Sequence, residues 1–172
     1  LDIYVCCYAP NKSSDSTANL VMGGVSRRFI YHDDNNGPKN FMLKNVTTKG
    51  GKISFKDVTE EVGLNSNNNK WSFAASWEDF DNDGDLDLFV SNYSGGNRLY
   101  NNLGNNKLVD VASELEVTEP YFSFTSWFWD YDNDGDLDIL SSGYEYGITK
   151  SLESYKGIID DDYSVKIFNN DG

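Results

Sequence analysis

The sequence has few of the residues on which enzymes rely for nucleophilic or acid–base chemistry. It contains one histidine, His32, and two cysteines, Cys6 and Cys7, in 172 residues. No Gly-x-Ser-x-Gly element, the sharp turn that presents a nucleophilic serine, occurs in it. A single histidine in a turn lacks the oriented partners that a catalytic base needs. We therefore predict a protein without enzymatic activity.

Positive charge and long apolar runs are also scarce. Lysine and arginine number 14 against 28 aspartates and glutamates, which gives a net charge of −14. Nucleic-acid binding needs clustered basic side chains that neutralise phosphates, and the sequence offers no basic stripe beyond Arg27-Arg28. No apolar run approaches the roughly 18 residues of a membrane span. We therefore predict no nucleic-acid partner and no membrane insertion.

The two cysteines are neighbours in the chain. Adjacent side chains of a strand point to opposite faces, so a disulfide between Cys6 and Cys7 would be strained. Two interpretations stay open. One is a pair of small buried thiols, and the other is pairing with a further segment or another chain.

Three asparagines stand in Asn-x-Ser/Thr triplets, the acceptor sequence for N-glycans. They are Asn11, Asn45 and Asn92. Such triplets arise by chance in an asparagine-rich chain, so they are weak evidence for N-glycans at these three positions.

What the sequence has in abundance is aspartate, arranged twice in the same order. Residues 79–88 read Asp-Phe-Asp-Asn-Asp-Gly-Asp-Leu-Asp-Leu, and residues 130–139, 51 positions later, read Asp-Tyr-Asp-Asn-Asp-Gly-Asp-Leu-Asp-Ile. Eight of the ten positions are identical. Residues 1–8 align with 86–93 and 137–144, which places Asp2 at the ninth position of such a loop. This self-similarity predicts a repeat protein. We call residues 79–87 loop 1 and residues 130–138 loop 2.

Four carboxylates at positions 1, 3, 5 and 9 of one short loop repel each other unless a cation lies among them. Oxygen ligands without histidine or thiolate favour Ca²⁺, which takes about six to eight oxygens, over Mg²⁺, which keeps several waters. Gly84 and Gly135 permit the sharp turn after position 5, where we expect a side chain to be in the way. The predicted ligands of two Ca²⁺ sites are the side chains of Asp79, Asp81, Asp83 and Asp87 with the carbonyl of Asp85, and the side chains of Asp130, Asp132, Asp134 and Asp138 with the carbonyl of Asp136.

The start of each loop also fits an EF-hand, which makes a different prediction for the flanks. An EF-hand requires a bidentate glutamate at position 12 and a helix on each side. Position 12 is Val90 in one copy and Ser141 in the other, and the flanking residues alternate as strands do. The EF-hand is therefore excluded.

The residues around each loop predict an all-β fold. The repeat reads as strand, aspartate loop, strand, turn, strand, turn and strand, so four antiparallel strands form one blade of a β-propeller type. About two and a half repeats fit in the chain, which predicts a partial or open propeller. We expect one repeat domain over residues 1–172. Its parts are a partial blade at 1–64 with an insertion at 9–39, a blade at 71–117, and a partial blade at 121–172 with an insertion at 145–162.

The loops and the elements around them carry a family likeness. Asn97-Arg98-Leu99-Tyr100-Asn101-Asn102 and Asp110-Val111-Ala112-Ser113 accompany the loops and the strands before them. In these elements the chain resembles the FG-GAP or VCBS repeats of integrin-alpha-type β-propellers and of secreted bacterial proteins. The resemblance implies four-stranded blades with Ca²⁺ in the loop between the first two strands. It also implies an extracellular location and a role in adhesion, ligand binding or structure, without catalysis.

Two functional hypotheses follow from the loops and the resemblance. The first is a Ca²⁺-stabilised extracellular module for adhesion or recognition, with a protein or a glycan as its ligand. The second is a subunit of a self-assembling extracellular fibre or surface layer, in which copies of the chain stack through the same repeats. Removal of calcium tests the first hypothesis, and sedimentation of the purified protein separates the second from it.

Overall fold

The structure is a computed structural model, and it describes residues 1–8, 20–22, 25–27, 37–93, 95–105, 107–120, 122–143, 156 and 165–172. In these residues the regular elements are β-strands joined by turns. Most of the two predicted insertions, 9–39 and 145–162, lies outside the described residues. The strands are β1 (Ile3–Val5), β2 (Leu20–Met22), β3 (Val25–Arg27), β4 (Phe41–Asn45), β5 (Phe55–Asp57), β6 (Ser72–Glu78), β7 (Asp87–Asn92), β8 (Arg98–Asn102), β9 (Leu108–Asp110), β10 (Ser123–Trp129), β11 (Asp138–Gly143) and β12 (Lys166–Phe168).

The strands form antiparallel sheets, and within each sheet the strands lie side by side in chain order. β6, β7, β8 and β9 form a four-stranded sheet in chain order, which we call blade 2. β1, β4 and β5 form the three-stranded blade 1, and β10, β11 and β12 form the three-stranded blade 3. β2 pairs with β3 in a separate hairpin. The predicted all-β class with antiparallel blades is confirmed.

The three blades share one strand register. Because side chains alternate between the two faces of a strand, a shared register means that equivalent residues of different blades lie on the same face of their sheets and can be compared directly. The equivalent pairs are Ile3 with Leu43 in blade 1, Leu88 with Tyr100 in blade 2, and Ile139 with Phe168 in blade 3.

Much of the apolar core lies between blades. Every residue of β7 is buried, because β7 is a central strand with a neighbouring blade on each face. Val58 and Val62, which follow β5, pack with Leu88 and Tyr100 of blade 2. Burial of one such aliphatic side chain contributes about 1.5–3 kcal/mol, so contact between blades is a main source of stability. The cluster that joins blade 2 to blade 3 contains Phe89, Leu99, Ala112, Val117 and Ile139.

Buried polar side chains connect the blades as well. Nδ2 of Asn40 donates to Oγ of Ser72 at 2.8 Å, and Ser72 donates to Oδ1 of Asn92 at 2.7 Å. Nδ2 of Asn92 donates to a backbone carbonyl at 2.7 Å, and the residue is 1 % exposed. The fold therefore does not support the glycan expected at Asn92, because the nitrogen that would carry it is buried and bonded. Asn45 is half-buried and Asn11 lies outside the described residues, so these two sites stay predictions.

The two cysteines are free thiols and half-buried. Burial, followed by the neighbouring Cys7, raises the pKa of Cys6 to about 11. Burial raises the pKa of Cys7 too. Burial therefore favours the protonated form of both thiols, and the two interpretations of the pair stay predictions.

Candidate metal site

Each aspartate loop is shaped by its own first carboxylate. Asp79 follows β6 and accepts hydrogen bonds from the N–H groups of Asp83 and Gly84, both at 3.0 Å. In loop 2 the equivalent bonds to Asp130 measure 3.1 and 3.2 Å. A carboxylate that binds the amides at positions 5 and 6 bends the chain back towards its start. The repeated sequence therefore folds locally into the same loop twice.

Each loop contains two residues in the left-handed region. Asn82 and Gly84 have φ values of 58° and 92°, and Asn133 and Gly135 have values of 63° and 100°. A Cβ added at either glycine would meet no atom within 4 Å. The expectation that a side chain would be in the way is therefore wrong, and the positive φ is what requires glycine. Asparagine tolerates this region better than most residues do.

Three carboxylates converge in each loop. One carboxylate oxygen from each residue of a group lies within 4.8 Å of the others. All these donors are hard oxygens, the ligand chemistry of Ca²⁺ and Mg²⁺, so each group can hold a divalent cation. The groups are Asp79, Asp81 and Asp83 in loop 1, and Asp130, Asp132 and Asp138 in loop 2.

The remaining predicted ligands lie around these groups. Asp87 in loop 1 and Asp134 in loop 2 are outside the convergent sets, and nothing in the described residues explains why the two loops differ here. Asp85 and Asp136 use their N–H groups to bind Oδ1 of the aspartate two residues earlier, both at 2.9 Å. Their side chains are not in the groups, so what they can offer a cation is the predicted backbone carbonyl. That role stays a prediction.

The ninth aspartate binds backbone amides on both sides of its loop. Oδ2 of Asp87 accepts the N–H of Phe80 at 3.0 Å, and Oδ1 accepts the N–H of Asn102 in β8 at 2.8 Å. Asp138 makes the same two bonds, each at 2.9 Å. Asp2 makes the second of them in blade 1, at 2.8 Å. In loops 1 and 2 the ninth aspartate therefore connects the end of its loop to the end of the third strand of its blade. The sequence pattern did not predict this role.

Burial determines the electrostatics of the ninth position in loop 1. Asp87 is 0 % exposed. Burial raises the pKa of its carboxyl above the usual range, although the amides of Asn102 and Phe80 favour the charged form, and the charges of Asp81 and Asp83 raise it further. A cation in the loop would favour the charged carboxylate and oppose this shift.

Asparagines at the end of the third strand complete the surroundings of loop 1. Nδ2 of Asn101 donates to Oδ2 of Asp81 at 2.7 Å, and Nδ2 of Asn102 donates to the carbonyl of Leu86 at 3.1 Å. Among the described residues, Oδ1 of Asn101 is buried without a hydrogen-bond partner. The signal in the sequence was the repeated pair Asn101-Asn102 and Asn169-Asn170, which in each repeat lies at or just after the third strand of the blade.

Comparison with protein families identifies the segment that contains both loops. Residues 79–141 match the family model of the FG-GAP-like repeat. This stretch is similar to an FG-GAP-like repeat. The match begins at the first aspartate of loop 1 and ends three residues after the last aspartate of loop 2, so it includes both carboxylate groups. No curated protein matches the sequence.

The FG-GAP-like repeat is a non-catalytic repeat fold, typical of β-propeller-type recognition modules in extracellular or cell-surface proteins. The matched segment contains β7, β8, β9, β10 and the first residues of β11, so it runs from blade 2 into blade 3. In the described part of the chain, no helix has the length and apolar character needed to cross a membrane.

Proposed function

We propose that this chain is a non-enzymatic recognition module of an extracellular protein, and that Ca²⁺ in loops 1 and 2 stabilises its FG-GAP-like blades. The observation that carries the proposal is the convergence of three carboxylates in the aspartate loop of each of two successive blades. The family match adds support, because FG-GAP-like repeats are typical of recognition modules. A protein or a glycan is the class of ligand for such a module.

Calcium would act on the connection between the first two strands of a blade. Without a cation, three carboxylates whose oxygens lie within 4.8 Å repel each other. A divalent cation reverses this interaction and fixes the loop that joins β6 to β7, or β10 to β11. Ca²⁺ suits an open loop better than Mg²⁺, which demands near-ideal octahedral geometry. Exposed carboxylate sites bind calcium weakly, and the millimolar calcium outside cells fills such sites, which supports an extracellular location.

The expected size of the effect follows from mass action. A ligand that binds only the folded state stabilises it by about 2.7 kcal/mol at a free concentration 100-fold above its Kd. For a domain of this length, 1 kcal/mol shifts Tm by about 2–4 °C. Each loaded loop should therefore raise Tm by roughly 5–10 °C.

Thermal unfolding in excess calcium, excess magnesium and excess chelator tests the proposal. Asp81→Asn with Asp83→Asn silences loop 1, and Asp130→Asn with Asp132→Asn silences loop 2. Glu114→Gln is the control, because Glu114 is an exposed acidic residue outside both loops. We expect each loop variant to lose about half of the calcium-dependent rise in Tm, and the control to keep all of it. An equal Tm of the unaltered chain in calcium and in chelator would contradict the proposal.

A second candidate is a subunit of a self-assembling extracellular fibre or surface layer. It is favoured by the apolar face of blade 3 that points away from blade 2. Trp127, Trp129 and Ile167 lie on this face and are 44 %, 52 % and 49 % exposed. Leu99 holds the place of Ile167 in blade 2, where blade 3 covers it, and it is 1 % exposed.

The opposite end of the row of blades is exposed in a similar way. Ile3 of blade 1 is 40 % exposed, whereas Leu88, at the equivalent place in blade 2, is fully buried. Copies that stack head to tail would cover both faces, and such a contact extends without closing.

Sedimentation velocity over a range of protein concentrations tests this second candidate, with Ile167→Lys as the disrupting variant. We expect assemblies that grow with concentration and that Ile167→Lys removes. A chain that sediments as a monomer throughout would rule this candidate out and leave the first.

A further inference from the structure

The two aspartate loops touch each other across the boundary between blades 2 and 3. Nδ2 of Asn82, at position 4 of loop 1, donates to Oδ1 of Asp136, at position 7 of loop 2, over 2.9 Å. The two residues are 54 positions apart in sequence. The carbonyl of Asp136 is a predicted ligand of loop 2, so a side chain of loop 1 holds a residue of the neighbouring site.

A second contact joins the loops on their buried side. Nδ2 of Asn170 donates to the carbonyl of Phe80 in loop 1 at 2.8 Å and to the carbonyl of Leu137 in loop 2 at 3.3 Å. The N–H of the same residue binds Asp138, the ninth residue of loop 2. Phe80 in turn donates its N–H to Asp87, the ninth residue of loop 1. A chain of hydrogen bonds therefore connects the ninth aspartate of one loop to that of the other.

We propose that the two loops load their cations cooperatively, and that the bond from Asn82 to Asp136 is the main coupling element. This inference rests on the proposed function, because it assumes that the loops bind a divalent cation. A cation in loop 1 fixes the backbone that carries Asn82. A fixed Asn82 then holds Asp136 in place before loop 2 binds, so loop 2 loses less conformational freedom on binding. Thermodynamic linkage makes this coupling reciprocal.

Two opposing effects decide the sign of the coupling. Repulsion between two bound divalent cations weakens the second binding step, whereas the shared hydrogen bonds strengthen it. Exposed charges separated by more than about 8 Å are largely screened at 0.15 M salt. One net hydrogen bond changes an equilibrium constant by about 2- to 10-fold. We therefore expect loading of loop 1 to raise the affinity of loop 2 by about that factor.

The chain provides a matched control for Asn82. Asn133 holds the same position in loop 2 and has a similar left-handed φ, 63° against 58°. Its side chain makes no hydrogen bond to any residue that the structure describes. Asn82→Gly and Asn133→Gly remove the same side chain from the same backbone conformation, and glycine adopts that conformation without strain. Only the first variant removes the contact between the loops.

Calcium titration of the ¹⁵N-labelled chain at 0.15 M salt measures each loop separately. The amide signals of Gly84 and Gly135 report on loops 1 and 2, because these amides bind the first aspartate of their own loop. Asp81→Asn with Asp83→Asn silences loop 1, and the affinity of loop 2 is read from Gly135 with and without this change. The comparison is made in three backgrounds: the unaltered chain, Asn82→Gly and Asn133→Gly. Any long-range effect of the lost charges is the same in all three.

We expect silencing of loop 1 to lower the affinity of loop 2 by about 2- to 10-fold in the unaltered chain and in Asn133→Gly. In Asn82→Gly the decrease should be clearly smaller. An equal decrease in all three backgrounds, or no decrease in the unaltered chain, overturns the coupling while leaving calcium binding intact. If neither glycine signal of the unaltered chain responds to calcium, the proposed function itself fails and the coupling fails with it.

Discussion

Leu99 and Ile167 occupy the same position in successive blades but differ in what covers them. Leu99 is 1 % exposed, in the cluster between blades 2 and 3, whereas Ile167 is 49 % exposed. Leu99→Ala leaves a closed cavity, for which the cost is about 2–5 kcal/mol. Ile167→Ala removes carbons that are about half in water already and leaves no closed cavity, so its cost is about 1 kcal/mol. We predict that Leu99→Ala is at least twice as destabilising.

Urea unfolding in excess calcium measures the difference, with the fluorescence of the four tryptophans as the signal. With an m-value of about 2 kcal/mol/M, the midpoint should fall by about 1–2.5 M for Leu99→Ala and by about 0.5 M for Ile167→Ala. The measurement is made at low protein concentration, where any assembly of copies is minimal. Equal shifts for the two variants would refute the arrangement in which blade 3 covers blade 2 and leaves its own outer face open.

Three further predictions concern single side chains. Thr59→Ala should cost about 1–2 kcal/mol in urea unfolding, because Oγ1 of Thr59 accepts the N–H of Met42 at 2.9 Å; an unchanged midpoint would contradict this. Hydrogen bonds from the hydroxyl and the amide of Thr59 lower the pKa of Asp57. The charged Asp57 carboxylate therefore stabilises the fold above about pH 4, and this stabilisation is lost as the pH falls through the lowered pKa. Asp57→Asn should therefore weaken the fall of Tm between pH 5 and about pH 3, and an unchanged acid dependence would count against the bond. Because burial and Cys7 raise the pKa of Cys6 to about 11, alkylation at pH 8 should be much slower in the folded than in the urea-unfolded chain, as mass spectrometry can show; equal rates would disprove it.

The repeat, its strands and its loops could be read from the sequence because these features are local. Alternating residues predict strands through the geometry of the backbone, and the two aspartate segments predict two similar loops. The first carboxylate of each loop binds amides only four and five residues away. Such contacts do not depend on the rest of the chain, so the two similar segments make the same turn.

The role of the ninth aspartate could not be read in the same way. Spacing alone makes Asp87 equivalent to the other carboxylates of loop 1. Its second partner, Asn102, is 15 residues away on β8, and only the pairing of β7 with β8 brings the two together. The same holds for Asn92: its glycosylation triplet is a local pattern, but its buried side chain accepts a hydrogen bond from Ser72, which is 20 residues away.

The sequence by itself determined the all-β class, the 51-residue repeat and the carboxylates of the two loops, because neighbouring residues decide backbone geometry and local turns. Only the tertiary structure decided which loop residues meet across blades, as Asn82 meets Asp136. It also decided which apolar residues are covered, since Leu99 and Ile167 have the same place in the repeat but different neighbours. The physical reason is that burial and long-range hydrogen bonds depend on how the sheets pack. The place of a residue within the repeat does not determine which neighbours pack against it.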